Sequence, residues 1–184
     1  TPFSFEEIYR PYSDYGKQVC EKLIEGLRGL PVVIVSGLAF GIDIIAHKAA
    51  LKNNIKTIAI PGSGLRDDVI TPATHINIAK RILEAGGALL SPFPPETPGA
   101  IWTFPVRNEI MAGISHATLV IEAVRKSGTL ITAKHATDFN RNVLTVPGSI
   151  FSNLTEGPHM LIRLGATPIT SVSELIESLG FKSD

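Results

Sequence analysis

The stretch Val32-Val-Ile-Val-Ser-Gly-Leu-Ala-Phe-Gly-Ile-Asp-Ile-Ile-Ala-His-Lys-Ala-Ala50 decides the fold. It opens on a run of β-branched residues, 32–35, without polar alternation, as in a strand buried on both faces of a parallel sheet. It closes on a helical period, with Ile42, Ile45, Ala46, Ala49 and Ala50 at i, i+3, i+4, i+7 and i+8. A small glycine-containing turn joins the two. Strand, turn and helix in that order form the unit of an α/β sheet.

The unit recurs along the chain. Apolar runs bounded by Gly, Pro or Ser predict strands at 57–60, 88–90, 118–121 and 143–146, with a weaker one at 167–169. Helical stripes fall between them. Ile78, Ala79, Ile82 and Leu83 follow Thr71-Pro72, which reads as an N-cap with proline at N1. Another helix opens near Gly128, and the last opens on a Ser171–Glu174 capping box. This alternation predicts an α/β fold, a doubly wound and mostly parallel sheet with helices on both faces. Its ligands would sit outside the carboxyl ends of the strands. One helix, over about 14–30, precedes the first credible strand. Either the topology begins with a helix or a first strand is absent from the chain as given.

Composition narrows the class. The 184 residues fit one domain. With 44% hydrophobic and 18% charged residues the chain is not disordered. No apolar run reaches the roughly 18–20 residues that span a bilayer, so no membrane is expected. The lone Cys20 and the absence of a basic-then-apolar start point to the reducing cytoplasm. Seventeen Lys and Arg balance seventeen Asp and Glu. Residues 48–81 nonetheless hold six basic residues against Asp67 and Asp68, the local surface that nucleic acid needs.

Three segments carry chemistry. In Ser36-Gly-Leu-Ala-Phe-Gly-Ile-Asp43, the turn could bring Ser36, Gly37, Ala39 and Gly41 close to an anion at a helix N-terminus, with Asp43 in the first helical turn. On spacing alone, phosphate binding and simple capping fit equally. Lys126-Ser127-Gly128-Thr129 lies between a strand and a helix, with Ser127 as N-cap and Lys126 as a cation beside open N–H groups. Two such turns on one sheet edge would share an anion-binding floor. The third segment, a proline-rich loop, carries Phe93, Trp102 and Phe104 near Arg107 and Asn108. Its aromatics could stack bases, although Phe93 and Trp102 fit better as packing under the loop. The five histidines show no metal-ligand spacing. His47, on the second and buried-looking helix, reads as a packed, hydrogen-bonded residue and not as a base. Glu122 has no second carboxylate fixed beside it. The residues therefore point to no catalytic group, no metal and no cofactor.

These segments resemble the bacterial DNA-processing protein A (DprA/Smf) family. The likeness rests on residues 33–51, Pro61-Gly-Ser-Gly-Leu65, Phe104-Pro-Val-Arg-Asn108, Val120-Ile-Glu-Ala123, Lys126-Ser-Gly-Thr-Leu-Ile-Thr-Ala133 and Val146-Pro-Gly-Ser-Ile150. It implies an extended Rossmann-like fold and single-stranded DNA as partner. It also implies recombination mediation through RecA during natural transformation, a homodimer and no enzymatic activity. It places the DNA pocket at residues 36–43, 104–108 and 126–129, with Arg10 in register with the family's loop arginine. Three departures stand out: Phe40 replaces a usual arginine, Glu109 replaces the second arginine of Arg-Asn-Arg, and Pro92 follows Ser91 where the family has glutamate. Residues 1–9 read as a lead-in from an upstream segment, with residues missing between it and the domain, which would run from 10 to 184. The alternative is a phosphoribohydrolase of the lysine-decarboxylase-like group, which shares a related core. The turn at Lys126 lacks that group's glycine run and its catalytic glutamate.

Overall fold

The computed structural model describes residues 12–182. The chain divides into two compact units, Thr1–Arg107 and Asn108–Asp184. The first unit holds α1 (Asp14–Gly26), β1 (Val33–Ser36), α2 (Ile42–Lys52), β2 (Lys56–Ala59), α3 (Ile76–Glu84) and β3 (Ala88–Leu89). Helix α4 (Thr103–Ile114) contains the division between the units. The second unit holds β4 (Ala117–Val120), α5 (Gly128–Asp138), β5 (Asn142–Thr145), α6 (Glu156–Arg163), β6 (Thr167–Pro168) and α7 (Val172–Ser178). The strands form two three-stranded sheets, β1-β2-β3 and β4-β5-β6, and every pairing is parallel.

The expected strands all form, within a residue or two of their predicted ends. Burial differs from the expectation at the outer strands. Val33 is exposed in β1, and both residues of β6 are exposed. The central strands hold the core. Thr57 and Ala59 of β2 and Leu144 and Thr145 of β5 are buried. In each unit a buried threonine of the central strand donates its hydroxyl across to the preceding strand. Thr57 bonds the Ile34 carbonyl at 2.8 Å, and Thr145 bonds the Val120 carbonyl at 2.8 Å. A hydroxyl satisfied this way removes the penalty of burying it and pins strand to strand. The ladders also run on alike past the strand ends, with Ile60 N–H to Ser36 O at 2.9 Å and Val146 N–H to Val120 O at 3.0 Å. The two sheets thus repeat one pattern, although the sequence shows no repeat.

Helix α1 is shorter than the predicted 14–30 span. Ser13 caps it by accepting from Gly16 N–H at 3.0 Å, and it buries Cys20, Leu23 and Ile24. It packs on α2, whose Ala46, Ala49 and Ala50 are small enough to let two helices approach closely. Pro72 does not sit at N1 of α3 as expected. It precedes a 3-10 turn, Ala73–His75, and the α-helix starts at Ile76. The predicted capping box holds, since Ser171 accepts from Glu174 N–H at 3.2 Å while the Glu174 carboxylate accepts from Thr170 N–H at 2.7 Å. In the second unit Val120, Ala123, Ala133 and Leu161 form a core cluster, backed by Leu130, Val143 and Ala166. No helix among the described residues is long and apolar enough to cross a membrane.

Candidate nucleic-acid interface

Each unit carries one of the predicted turns at the carboxyl end of its first strand. In the first unit the chain leaves β1 at Ser36 and must reverse into α2. Two residues take left-handed backbone to do so, Leu38 at φ 59° and Gly41 at φ 89°. A side chain at Gly41 would be strained there, whereas Leu38 offsets the cost of its conformation by burying its side chain completely. Ser36, Gly37 and Gly41 are buried, and Ala39 and Phe40 are half-buried. Phe40 packs edge-on against His75, with ring centroids 4.7 Å apart. His75 in turn donates Nδ1–H to the Leu38 carbonyl at 2.6 Å, which ties the turn to the segment ahead of α3.

The structure relocates Arg107. Sequence places it at the DNA surface, but its side chain is fully buried. Its guanidinium donates to the Ile60 carbonyl at 2.6 Å and to the Gly37 carbonyl. It therefore joins the ends of two neighbouring strands from below the turn. Gly37 has no room for a side chain, because a Cβ there would overlap that guanidinium and come within 2.6 Å of an Asp43 carboxylate oxygen. Asp43 thus faces inward toward Gly37 as well as opening α2.

Segment 101–108, read as loop from sequence, is the entry to α4. Pro105 sits in the first turn of that helix, where its missing N–H breaks no helical bond. Thr103 hydroxyl bonds the Gly62 carbonyl at 2.6 Å and anchors the helix start beside the segment that follows β2. The Phe104 ring lies against Gly62, where a Cβ would come within 2.5 Å of its edge, and Arg107 lies 5.8 Å from the ring centroid. Phe104 is half-buried. The proline loop docks through Gly64 N–H to Thr97 O at 2.7 Å and Arg66 N–H to Pro95 O at 3.0 Å. Phe93 is half-buried and meets Trp102 edge-on, with ring centroids 5.5 Å apart. Trp102 does not pack under the loop, being 60% exposed.

In the second unit Ser127 caps α5, accepting from Thr129 N–H at 3.2 Å and meeting the Thr129 hydroxyl at 3.0 Å. Gly128 and Thr129 are half-buried, and Lys126 is exposed beside them. The buried Asn108 amide reaches the Gly128 carbonyl at 3.4 Å, a long contact that steadies the same turn. Glu122, just past the end of β4, is buried. The remaining predicted residue, Arg10, lies outside the described residues. Among the described residues no group of three or more His, Cys, Asp or Glu could hold a metal ion. Cys20 is buried, and desolvation first, then the charges of Glu21 and Asp43, push its thiol up to about 12. It is not a nucleophile at neutral pH.

His47 is packed and hydrogen-bonded, as its helix suggests, and it is fully buried. Its partner is Thr57, a residue that sequence reading gives no site role. Thr57 gives its only hydroxyl proton to Ile34, so its oxygen accepts from His47 Nδ1–H at 2.7 Å. Burial is the largest cause that lowers His47 from 6.5 to about 4. The charges of His75 and Arg107 add to it, and Asp43 and the Ser36 backbone oppose it. Sequence reading also passes over Thr103, which anchors the Phe104 segment. Both partners of Thr57 lie in other elements, and Thr103 reaches Gly62 as well as its own neighbour Ala100, so the long-range bonds of both leave no local pattern.

Together these features describe a parallel, Rossmann-like α/β protein with a tight turn entering a helix at the edge of each sheet. The chain belongs to the DNA recombination-mediator protein A family, whose model matches residues 9–180. It is 44% identical over 172 residues to protein Smf of Escherichia coli, covering 94% of this chain and 46% of that one. It superposes on the DNA processing protein A structure from Streptococcus pneumoniae with a TM-score of 0.81 at 40% identity, covering 94% of this chain and 59% of the other. The Helicobacter pylori DNA processing protein A, solved for its single-stranded DNA binding mode, gives a TM-score of 0.81 at 29% identity, covering 92% and 75%. The chain spans about half the length of the curated relatives it matches.

The buried groups make two measurable differences to stability. Lysine is one bond shorter than arginine, so Arg107→Lys draws the donor back from the two buried carbonyls, and urea unfolding should show a loss of about 1–3 kcal/mol, the cost of an unmet buried acceptor. An unchanged midpoint would place the guanidinium in solvent. For His47 the folded pKa lies below the unfolded one. The unfolded chain therefore takes up a proton first as pH falls, and stability drops between about pH 6.5 and 4. The contribution is on the order of 3 kcal/mol at its fullest. His47→Gln should flatten the stability curve across that window, and a curve parallel to the parent's would refute the assignment.

Proposed function

We propose that this chain binds single-stranded DNA and acts by binding, as a recombination mediator that hands the strand to RecA in the cytoplasm. The observation that carries this reading is the likeness to the Helicobacter pylori protein at 29% identity and a TM-score of 0.81. The turns support it. In the second unit Lys126 stands exposed next to the capped N-terminus of α5, so a cation and partial positive charge act on one phosphate. In the first unit Ser36, Gly37, Ala39, Gly41 and Asp43 shape the turn, and half-buried Phe104 offers a stacking face. Arg10 belongs to the same proposed contact set, Asn108 steadies the Gly128–Thr129 turn, and Arg107 acts beneath the first turn. Two further parts of the reading are the absence of catalytic turnover and a homodimer built on the second unit around 143–146 and 161–169. There Leu164 is 75% exposed at the end of α6, and a two-fold contact is the commonest homo-oligomer arrangement.

In mobility-shift titrations oligo-dT should bind far more tightly than duplex of equal length. Lys126→Ala should weaken binding and reduce the salt slope by ~0.7, the value per single-strand phosphate. Equal affinity for both forms would overturn the reading. For assembly, light scattering should give twice the chain mass, falling to one chain for Leu164→Glu. A parent that stays monomeric at high concentration would remove the dimer from the proposal.

A further inference from the structure

Phe151 is 94% exposed and Ile150 81%, the two most exposed large apolar residues among those described. They sit in the loop after β5, at the carboxyl edge of the second sheet. The loop that carries them is tightly held. Thr155 hydroxyl bonds the Ser149 carbonyl, His159 Nε2–H donates to Gly148 O at 3.1 Å, and Phe151 N–H donates to Ser149 Oγ at 3.2 Å. The hydrophobic effect would favour folding such a pair inward. A braced loop that leaves them in solvent instead presents the ring on a backbone whose ordering cost has been met on folding.

The neighbouring loop at that edge is the one that carries Arg125 and Lys126, both exposed. β4 and β5 are paired parallel strands, so the two loops leave the sheet side by side. Ala123 N–H to Leu154 O at 2.8 Å and Gly157 N–H to Ala123 O at 2.8 Å tie the segments together. A ring exposed on one loop, with two cations and a helix N-terminus on the loop beside it, offers what unpaired nucleic acid requires, a stacking face for the base and positive charge for the phosphate. A protein partner would need a wider apolar surround that excludes water, but the pair is flanked by the exposed polar Ser149 and Asn153.

We propose that Phe151 is a base-stacking platform for the nucleotide whose phosphate is held at Lys126. The inference rests on the single-strand reading above and adds a contact residue that the resemblance does not supply.

The test is oligo-dT binding by the full chain and its variants. Phe151→Ala should weaken binding roughly 5- to 150-fold with the salt slope unchanged, because stacking releases no counterions. Phe151→Tyr should restore affinity, and Phe151→Leu, apolar but not planar, should not. In a Trp102→Phe background, Phe151→Trp should lose emission as oligo-dT is added. Parent-like binding by Phe151→Ala, or full rescue by leucine, overturns the platform while leaving single-strand binding in place. A parent that binds no oligonucleotide overturns both. A fall in oligomeric state for Phe151→Ala, with DNA affinity unchanged, assigns the pair to a contact between copies and overturns the platform as well.

Discussion

The buried guanidinium of Arg107 organises the first unit. Two strands end side by side near Gly37 and Ile60, and the carbonyls of both residues turn to it. One nitrogen of the guanidinium, Nη1, reaches both carbonyls at once, at a distance along the side chain that the shorter lysine does not attain. Burying a charge costs several kcal/mol unless it is well bonded. The site therefore has little freedom to rearrange. Gly37 must lack a side chain, Asp43 faces the same space, and Phe104 lies near both Arg107 and Gly62. The turn that enters α2 is held by the Arg107 side chain, which is fully buried.

This arrangement divides the labour of the family-like segments by depth. At the surface of the second turn stand Arg125 and Lys126, both exposed. Arg107, His47 and Thr57 act below, fixing where the first turn and the Phe104 ring stand. Phe40 takes part in the same division. Its ring packs on His75, and His75 holds the Leu38 carbonyl, so the side chain helps support the turn.

The second unit repeats the scheme with different means. Its threonine and ladder bonds match those of the first, but its turn is stabilised by a serine cap and by backbone bonds to the 154–157 segment. Its surface cations and its exposed ring stand at the sheet edge, open to a partner. A chain with no net charge can still present a local positive edge of this kind, because recognition depends on where the charges stand.

The strand-and-helix order, the two turns and the family were legible in the amino-acid sequence. They follow from local rules: apolar runs, helical periods, capping residues and motif spacing act over a few residues. Ser171 needs only Glu174 three positions on to declare a helix start, and Ser127 needs only Thr129. Even the burial of His47 could be read this way, from its place among alanines on one helix. The burial of Arg107 could not. It lies seventy residues from Gly37 in the chain, and a spacing that long carries no periodic signal. The same holds for the exposure of Trp102 and Phe151, for the helical entry at Thr103, and for the bond between Thr57 and His47. Each depends on what packs against a residue from another element, and a local pattern does not contain that information.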